Sequence, residues 1–393
     1  MNIRGWCPSL FAPMESGDGW LLRVQPRHAI LSAANAHRIA VSAAEHGNGI
    51  IEMTHRGNLQ IRGLSPASAA TFADLMVAAG LGDARRNLLV SPLAGEDPDL
   101  DPQTIAIADA LDAAASGELP DKFLFLVDGG GAAGLRDIRA DIAARADDGQ
   151  WAIWIDGENQ GAACEPACVP DAMLRLARRF AAKANGARRM RELVASSGSR
   201  SMFAAAGLVA DRPPVHRAVA DIIGFRPYRG PQGSFGFGIP FGAMNAETLD
   251  HLATLSEQFG DATLRITPWR AVLIPGVAAA HAPALSEAAN GLITDPEDPR
   301  RQITACTGQP RCAAATVDAR ADAALLAAIR YPGRVHVSGC AKGCAHPGPA
   351  PITLVGSRGT YGIVRNGRAS DAPDETGLTM TQAARNLVGA MAR

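Results

Sequence analysis

The chain has 393 residues and a formal net charge of −1, from 38 basic and 39 acidic side chains. This length predicts about two to four domains, and the near-neutral charge argues against a general nucleic-acid-binding protein, which carries a basic excess. Seven cysteines are too few for a disulfide scaffold. The N-terminal segment lacks a signal-peptide core and no apolar run reaches the roughly 18 residues of a membrane span, so we expect a cytoplasmic protein.

Two segments of the chain are alike at an offset of 213 residues. Gly47 in the first matches Gly260 in the second, and Thr54 matches Thr267. Each segment predicts strand, helix, strand and strand, with one helix ending near Glu45 and the other over 246–258. The period is too long for a solenoid and indicates a duplication, so we expect the two units to pack about a pseudo-twofold axis and to form one shared sheet.

A larger block separates the two repeats. Its pattern predicts two helices, two strands and a final Ser- and Arg-rich connection; in order, these are a helix over 104–115, a strand over 119–128, a strand over 151–155, a helix over 171–184 and the connection over 187–215. We interpret the glycines at 129–131 as a turn that ends the first strand, because no helix-opening Lys-Ser or Lys-Thr pair follows them.

The last block, after a link over 295–301, carries four of the seven cysteines. Cys306 and Cys312 form a C-x5-C pair, and Cys340 and Cys344 form a C-x3-C pair after a gap of 27 residues. An amphipathic helix around Leu325, Leu326 and Ile329 and a strand over 334–338 are predicted between the pairs. Four thiolates in two close pairs flanked by Gly and Pro favour an iron–sulfur cluster, with zinc or four buried free cysteines as alternatives.

These motifs resemble the siroheme- and [4Fe–4S]-containing nitrite and sulfite reductase superfamily. The resemblance covers nearly the whole chain and rests on the two cysteine pairs and on three further motifs, which are 54–60, Arg86-Asn87 and 119–123. It implies an α+β fold with ferredoxin-like βαββ half-domains at 1–80 and 211–290 and larger α/β blocks at 81–210 and 291–393. Within the superfamily, the motifs at 91–95, 123–131, 267–270 and 337–347 are most similar to the oxygen-dependent members of the cobalamin pathway.

The resemblance also implies roles for individual residues. Cys306, Cys312, Cys340 and Cys344 match the ligands of the [4Fe–4S] cluster. Lys122 and Arg86 match the basic residues of the pocket where the oxyanion sits in the reductases, and they are our catalytic candidates. The candidates for tetrapyrrole binding are Arg23, Arg56, Asn58, Gln60, Arg62 and Arg270. Arg56 and Arg62 should point to one face if a single strand carries both.

Three departures from the reductases favour a tetrapyrrole as substrate rather than as prosthetic group. Leu124 stands where the reductases have a second anion-binding lysine, which weakens a pocket that must stabilise a small anion. Glu52 replaces the first arginine of their Arg-x-Thr-x-Arg strand. Ala341 and Lys342 replace the Pro-Asn of their last cysteine pair.

The reaction implied by the resemblance is oxygenation of precorrin-3A, with hydroxylation at C20 and closure of a γ-lactone, and precorrin-3B as the product. The partners are precorrin-3A, O2 and a donor protein or reductase that uses NADH, since no dinucleotide fingerprint is present. The family also implies a mononuclear non-haem iron. His346 is our candidate histidine ligand for this iron, and the sequence does not identify its other ligands.

Two other functions stay open at this stage. One is a siroheme-dependent sulfite or nitrite reductase, and the other is a non-catalytic tetrapyrrole-binding or electron-transfer iron–sulfur protein. The remaining cysteines, Cys7, Cys164 and Cys168, receive no role.

Overall fold

The computed structural model describes residues 8–82, 88–114, 119–214, 221–228 and 230–391. Within these ranges, no helix is both long and apolar enough to cross a bilayer. Cys7, Arg86 and Asn87 lie outside the described residues.

The first repeat folds around one long helix against antiparallel strands. Its elements are β1 (Met14–Ser16), β2 (Gly19–Val24), β3 (Ile30–Ser32), α1 (Ala33–His46), β4 (Ile50–Met53), β5 (Leu59–Leu64) and α2 (Pro66–Ala78). Ser32 caps α1, because its hydroxyl accepts a hydrogen bond from the Asn35 N–H. Ala36, Ile39 and Ala43 form the buried stripe of α1 at helical spacing.

The block that follows contains a six-stranded sheet in the order β11-β10-β9-β8-β7-β6. Its elements are β6 (Leu88–Val90), α3 (Thr104–Ala114), β7 (Phe125–Asp128), β8 (Ile142–Asp147), β9 (Gln150–Ile155), β10 (Gly161–Ala163), α4 (Val169–Lys183), α5 (Met190–Ser197), α6 (Arg200–Ala205) and β11 (Ala210–Arg212). The predicted irregular connection over 187–215 is therefore wrong. Leu193, Met202 and Phe203 are buried in the core of this block, which accounts for the two short helices.

The second repeat reproduces the first. Its elements are β12 (Gly224–Pro227), β13 (Gln232–Gly238), β14 (Ala243–Asn245), α7 (Ala246–Phe259), β15 (Thr263–Ile266), β16 (Ala271–Ala278) and α8 (Ala282–Glu287). The segments β3, α1 and β4 recur as β14, α7 and β15 at the predicted offset of 213 residues. Helices α1 and α7 pack together, and His37 Nδ1 lies 2.6 Å from Oδ1 of Asp250, its equivalent in the other repeat.

The prediction of one shared sheet is wrong, because each repeat completes the sheet of the other. The two sheets have the orders β1-β2-β5-β4-β14 and β12-β13-β16-β15-β3. Ser32 of β3 pairs with Thr263 of β15, and Asn245 of β14 pairs with Ile50 of β4. The exchange gives the edge strands β4 and β15 a backbone hydrogen-bonding partner, while both sheets bury residues in one hydrophobic core.

The last block holds a five-stranded sheet in the order β17-β18-β19-β20-β21. Its elements are β17 (Ile303–Ala305), α9 (Ala319–Ala328), β18 (Val335–Ser338), β19 (Ala350–Ser357), β20 (Thr360–Gly367), β21 (Glu375–Leu378) and α10 (Met380–Met391). The predicted apolar face of α9 is only partly right. Ala319, Ala323 and Leu326 are buried, whereas Leu325 is 62% exposed, because the sheet contacts a stripe of mostly small side chains. The division of the chain at residues 80, 210 and 290 stays a prediction.

Candidate functional site

The two cysteine pairs are delivered by neighbouring strands. Cys306 directly follows β17, and Cys340 lies two residues beyond the end of β18. These strands are parallel neighbours, so their carboxyl ends meet at the same edge of the sheet. The Gly339 N–H donates a hydrogen bond to Cys306 Sγ at 3.1 Å. The topology thus brings one cysteine of each pair together.

The other two cysteines lie within electrostatic reach of this edge. Burial raises the pKa of the Cys306 thiol. Hydrogen bonds from the N–H groups of Gly339 and Gly308 lower this pKa by less than burial raises it, and the thiols of Cys312 and Cys340 raise it further. Burial and then the thiols of Cys340, Cys306 and Cys312 raise the pKa of Cys344. Each thiolate disfavours a second one nearby, which is the electrostatic signature of a site that a cationic metal group would stabilise.

The backbone between Cys306 and Cys312 is tightly folded against the start of α9. Gly308 has a φ of +69°, and a Cβ there would lie 2.5 Å from the Ala319 nitrogen, so only glycine fits. The Cys312 N–H closes the turn by donating to the Gly308 carbonyl at 2.9 Å. The loop therefore fixes the position of both its cysteines.

The donor set fits an iron–sulfur cluster better than a single metal ion. Four thiols are the ligands that a [4Fe–4S] cluster uses, and at Cys306 the N–H groups of Gly339 and Gly308 are directed at the sulfur. In the part of the chain that the structure describes, no three His, Cys, Asp or Glu side chains are grouped closely enough to hold one ion. The preference for a cluster therefore rests on the thiol chemistry and on the cysteine spacing.

A cavity of about 540 Å³ lies beside the second cysteine pair. Its wall includes His346, two residues beyond Cys344. The apolar part of the lining includes Ile138, Ile222, Ile223, Ile239, Phe241 and Trp269, and the basic part consists of Arg270, Arg300, Arg301 and Arg334. The cavity therefore combines an apolar wall with several guanidinium groups, which suits a flat apolar ring bearing carboxylates.

Two equivalent turns of the repeats meet at this cavity. His55 belongs to the turn before β5, and Arg270 belongs to the turn between β15 and β16. Arg270 Nη2 lies 3.3 Å from His55 Nε2. Burial, together with the Arg270 charge, lowers the pKa of His55, and burial lowers the pKa of Arg270. His55 is accordingly a neutral acceptor for the guanidinium.

His336 is a buried histidine that the sequence analysis did not single out. It lies in the centre of β18 and is 1% exposed, and neither ring nitrogen has a hydrogen-bond partner among the described residues. Burial, followed by the charges of His346 and Arg270, lowers the pKa of His336 to about 4. His336 lines a second cavity of about 550 Å³, which shares Arg301, Arg334 and His346 with the first.

His346 is held in the same place by two contacts. Its Nε2 lies 3.1 Å from the Pro349 carbonyl oxygen, and its ring meets that of His336 edge-on at 5.7 Å. The strand pattern Val-His-Val-Ser is typical of a core, so it carries no signal that would single out His336.

Arg56 and Lys122 are brought together, although not as paired side chains. Arg56 Nη2 donates to the Lys122 carbonyl at 2.6 Å, while the Lys122 residue is exposed. Leu124, which stands in place of the reductases' lysine, is 4% exposed and packs in an apolar cluster to which Trp269 of the cavity wall also belongs.

Two more candidates, Arg23 and Gln60, form a chain of contacts with Glu52 on the first repeat. Arg23 Nη2 donates to Gln60 Oε1 at 3.1 Å, and Gln60 Nε2 donates to Glu52 Oε2 at 3.1 Å. Asn58 is 1% exposed, and neither atom of its amide has a partner within the described ranges.

The condition for Arg56 and Arg62 to share a strand face is not met. Only Arg62 lies in β5, because the chain turns over 54–58 before the strand begins at Leu59. Arg62 is 3% exposed and pairs with Asp18 at 2.7 Å and Glu52 at 3.2 Å. The guanidinium is thus engaged inside the protein, and its role in tetrapyrrole binding stays a prediction.

Cys164 and Cys168 are free thiols in the block of the six-stranded sheet. Burial, together with the Cys168 thiol, raises the pKa of Cys164 to about 11, so this thiol is protonated and unreactive at neutral pH.

Comparison with protein families identifies the two repeats. Residues 12–79 and 228–292 match the nitrite/sulfite reductase ferredoxin-like half domain. The two matched ranges cover the two repeats found in the sequence.

Comparison with individual proteins covers nearly the whole chain. A precorrin-3B synthase of Sinorhizobium sp is 34% identical over 95% of this chain and 86% of its own length. A ferredoxin–nitrite reductase of Synechococcus elongatus is 26% identical over 90% of this chain and 79% of its own length. The solved structure of the Mycobacterium tuberculosis NirA protein superposes with a TM-score of 0.71 at 19% identity, covering 93% of this chain and 79% of that one, and supports the fold.

Proposed function

The chain belongs to the precorrin-3B synthase family within the nitrite and sulfite reductase superfamily, and from this premise we propose that it is an oxygen-dependent monooxygenase that converts precorrin-3A to precorrin-3B. The observation that carries the proposal is the cavity with apolar and basic lining, whose wall includes Thr304, two residues before Cys306, and His346, two residues after Cys344. A large ring with many carboxylates needs such a combination. Siroheme, the prosthetic group of the reductases, is also such a ring, so the choice of a tetrapyrrole substrate rests on the 34% identity to a precorrin-3B synthase.

Substrate binding is the part of the reaction that this chain's residues explain best. Arg270 and Arg334 each offer a fork of N–H donors to an acetate or propionate group. Arg301 is paired with Asp221 at 2.7 Å, and so we assign it a weaker share. Trp269 and the isoleucines cover the ring and exclude water, and Trp269 is oriented by a 2.8 Å hydrogen bond from its Nε1 to Asp137.

We assign Cys306, Cys312, Cys340 and Cys344 to a [4Fe–4S] cluster. When bound, the cluster supplies electrons one at a time. In the overall reaction, one oxygen atom of O2 enters C20 and the other leaves as water, which consumes two electrons and two protons. The electrons come from NADH through a donor protein or reductase, and the ring-A acetate closes the γ-lactone. We assign no ligands to a mononuclear iron.

We assign separate roles in handling charge to three residues. His55 lies at the cavity wall, where its Nε2 accepts a hydrogen bond from Arg270 and so positions the guanidinium. Lys122 and Arg86 remain our candidates for stabilising negative charge that develops on oxygen. We place the reaction in the cytoplasm, where thiols stay reduced and a donor protein is at hand.

The deciding experiment is anaerobic purification followed by one defined turnover. The absorption spectrum and the iron and sulfide content are recorded first, and precorrin-3A, a reductant and isotopically labelled O2 are then added. We expect an iron–sulfur spectrum without siroheme, and label incorporated into the product. Siroheme in the isolated protein, with reduction of nitrite or sulfite, would contradict the proposal and favour the reductase.

A variant separates the enzyme from a binding protein. Cys340→Ser removes a ligand next to the cavity, so we expect loss of the cluster spectrum and of turnover while the tetrapyrrole still binds. A wild-type protein that binds precorrin-3A but consumes no O2 would instead be an electron-transfer or tetrapyrrole-binding protein.

A further inference from the structure

A buried carboxylate joins the first repeat to the loop that holds the first cysteine pair. Glu52 lies in β4 and is 6% exposed. Its Oε1 accepts hydrogen bonds from Thr307 Oγ1 at 3.0 Å and from Arg320 Nη2 at 2.5 Å. Thr307 is the residue next to Cys306, and Arg320 lies in the first turn of α9, which follows the loop. One carboxylate oxygen therefore contacts both the start of the loop and the helix behind it.

The second oxygen of Glu52 anchors the contact to the sheet. Oε2 accepts hydrogen bonds from Arg62 Nη1 at 3.2 Å and from Gln60 Nε2 at 3.1 Å. Gln60 lies directly opposite Glu52 on the neighbouring strand β5. The carboxylate is thus held by the rigid part of the first repeat, not by a mobile loop.

Arg62 extends the same network to the other end of the loop. Its Nη2 donates to the Arg311 carbonyl at 2.8 Å, and Arg311 is the residue next to Cys312. Gly17 also packs against this end, where a Cβ would lie 2.5 Å from the Ala313 nitrogen. Both ends of the Cys306–Cys312 loop are consequently attached to one sheet, through residues adjacent to the cysteines.

The charges of the network balance. Glu52 and Asp18 face Arg62 and Arg320, so the network holds two negative and two positive groups. Burial opposes ionisation of Glu52, but the charges of Arg320 and Arg62 outweigh burial and hold its pKa below the ordinary value. Removing one member of such a buried set leaves an uncompensated charge, which is strongly destabilising.

We propose that Glu52 is a positioning residue that fixes Cys306 and Cys312 in the geometry a [4Fe–4S] cluster requires. The negative charge of Glu52 is what allows the pairing with Arg320 and Arg62. The inference rests on the proposed assignment of the four cysteines to a cluster. It adds Glu52, a residue of the first repeat outside the cysteine motif, as the group that positions the first cysteine pair.

The test compares two buried carboxylates that each serve two arginines. Glu52→Gln keeps the shape and removes the charge beside the loop. Asp156→Asn does the same just beyond the end of β9, where Asp156 pairs with Arg139 at 2.7 Å and Arg191 at 3.5 Å. The readouts are iron and sulfide per chain, the rate at which a chelator bleaches the cluster absorption, and the electron paramagnetic resonance spectrum of the reduced protein.

We expect Glu52→Gln to lose its cluster at least about tenfold faster than wild type and to show an altered resonance spectrum, because a charged hydrogen-bond partner next to the ligands is lost. Asp156→Asn should lower the melting temperature and leave all three cluster readouts unchanged. Thr307→Val removes only the hydroxyl beside Cys306 and should accelerate cluster loss by roughly threefold, which covers the case in which Glu52→Gln fails to fold.

The outcomes separate this inference from the proposed function. A wild-type protein without a cluster overturns the cluster assignment itself. A wild-type protein with a cluster, together with Glu52→Gln and Thr307→Val variants that retain it as firmly as Asp156→Asn, overturns the positioning role of Glu52 alone.

Discussion

The two repeats share a backbone plan but use the same buried position in opposite ways. Glu52 in β4 and Arg265 in β15 are equivalent at the offset of 213 residues, and they are 6% and 3% exposed. Glu52 reaches Thr307 and Arg320 of the cysteine block. Arg265 reaches Glu96 of the other block at 3.3 Å. The two repeats thus share one backbone scaffold. The buried side chain at this position has opposite charge in the two repeats, and in each repeat it contacts a different block.

The largest effect should follow from making the first copy like the second. Glu52→Arg places a third cation beside Arg62 and Arg320 in a buried site. We expect a loss of about 3–5 kcal/mol in the free energy of unfolding, with loss of bound iron. Denaturant titration under anaerobic conditions measures it. A variant that unfolds at the wild-type midpoint would show that the two positions are interchangeable.

The second prediction concerns the turns of the two copies. Arg270 lines the cavity, whereas Arg56 is bound to a backbone carbonyl. Arg270→Met removes a charged hydrogen-bond donor, so we expect tetrapyrrole binding to weaken by about 1.5–3 kcal/mol. Absorption titration with precorrin-3A measures the Kd. Unchanged binding in a correctly folded variant would move the substrate to another cavity.

The third prediction concerns Arg265, a buried arginine of the second repeat that, unlike Arg270, does not line the cavity. Arg265→Met breaks the contact with Glu96, whose side chain is 34% exposed and can recover water. We expect a loss of about 1–2 kcal/mol in the free energy of unfolding. Substrate affinity should stay at the wild-type level, because Arg265 does not line the cavity. If Arg265→Met weakened binding as much as Arg270→Met, the assignment of separate roles to these two arginines would be wrong.

The smallest effect is expected at the contact between the two copies. The hydrogen bond with Asp250 raises the pKa of His37 against partial burial, and Glu257 adds to the effect. A raised pKa in the folded state stabilises the protein below the ordinary His pKa of about 6.5, and this contribution is lost as pH rises through the folded-state value.

Asp250→Asn should therefore lower stability by less than about 1 kcal/mol at pH 5.5 and by still less at pH 8.5, since both side chains are partly exposed. Unfolding curves of wild type and variant at the two pH values measure the difference. An equal difference at both pH values would show that the charge of His37 contributes nothing.

Much of the architecture could be predicted because the two copies of the duplicated unit have similar sequences at a constant offset. Helices α1 and α7 and the strands beside them lie at the predicted offset. The prediction of one shared sheet was wrong because β3 and β14 are each only three residues long. The side-chain pattern of so short a strand does not identify the strand with which it pairs.

The candidate site was only partly predictable. Cysteine spacing pointed to one metal group, and the strand before Cys340 was correctly placed. Arg300 and Arg301 lie in the single 3-10 turn Pro299–Gln302, and Arg334 lies in the loop before β18, so neither segment is long enough for a period that shows which way a side chain points. Glu52 entered the sequence analysis as a departure from a family pattern, and its partners Thr307 and Arg320 are more than 250 residues away in the chain.

The exchange of β3 and β14 has a consequence for how the protein forms during synthesis. Ser32 of β3 finds its partner only when Thr263 has been made, and Ile50 of β4 waits for Asn245. Neither repeat can finish its sheet alone, so the order of folding does not follow the order of translation. Contacts at such large sequence separation slow folding. A ribosome that releases the first repeat early leaves it with an open strand edge, and only the arrival of the second repeat closes it.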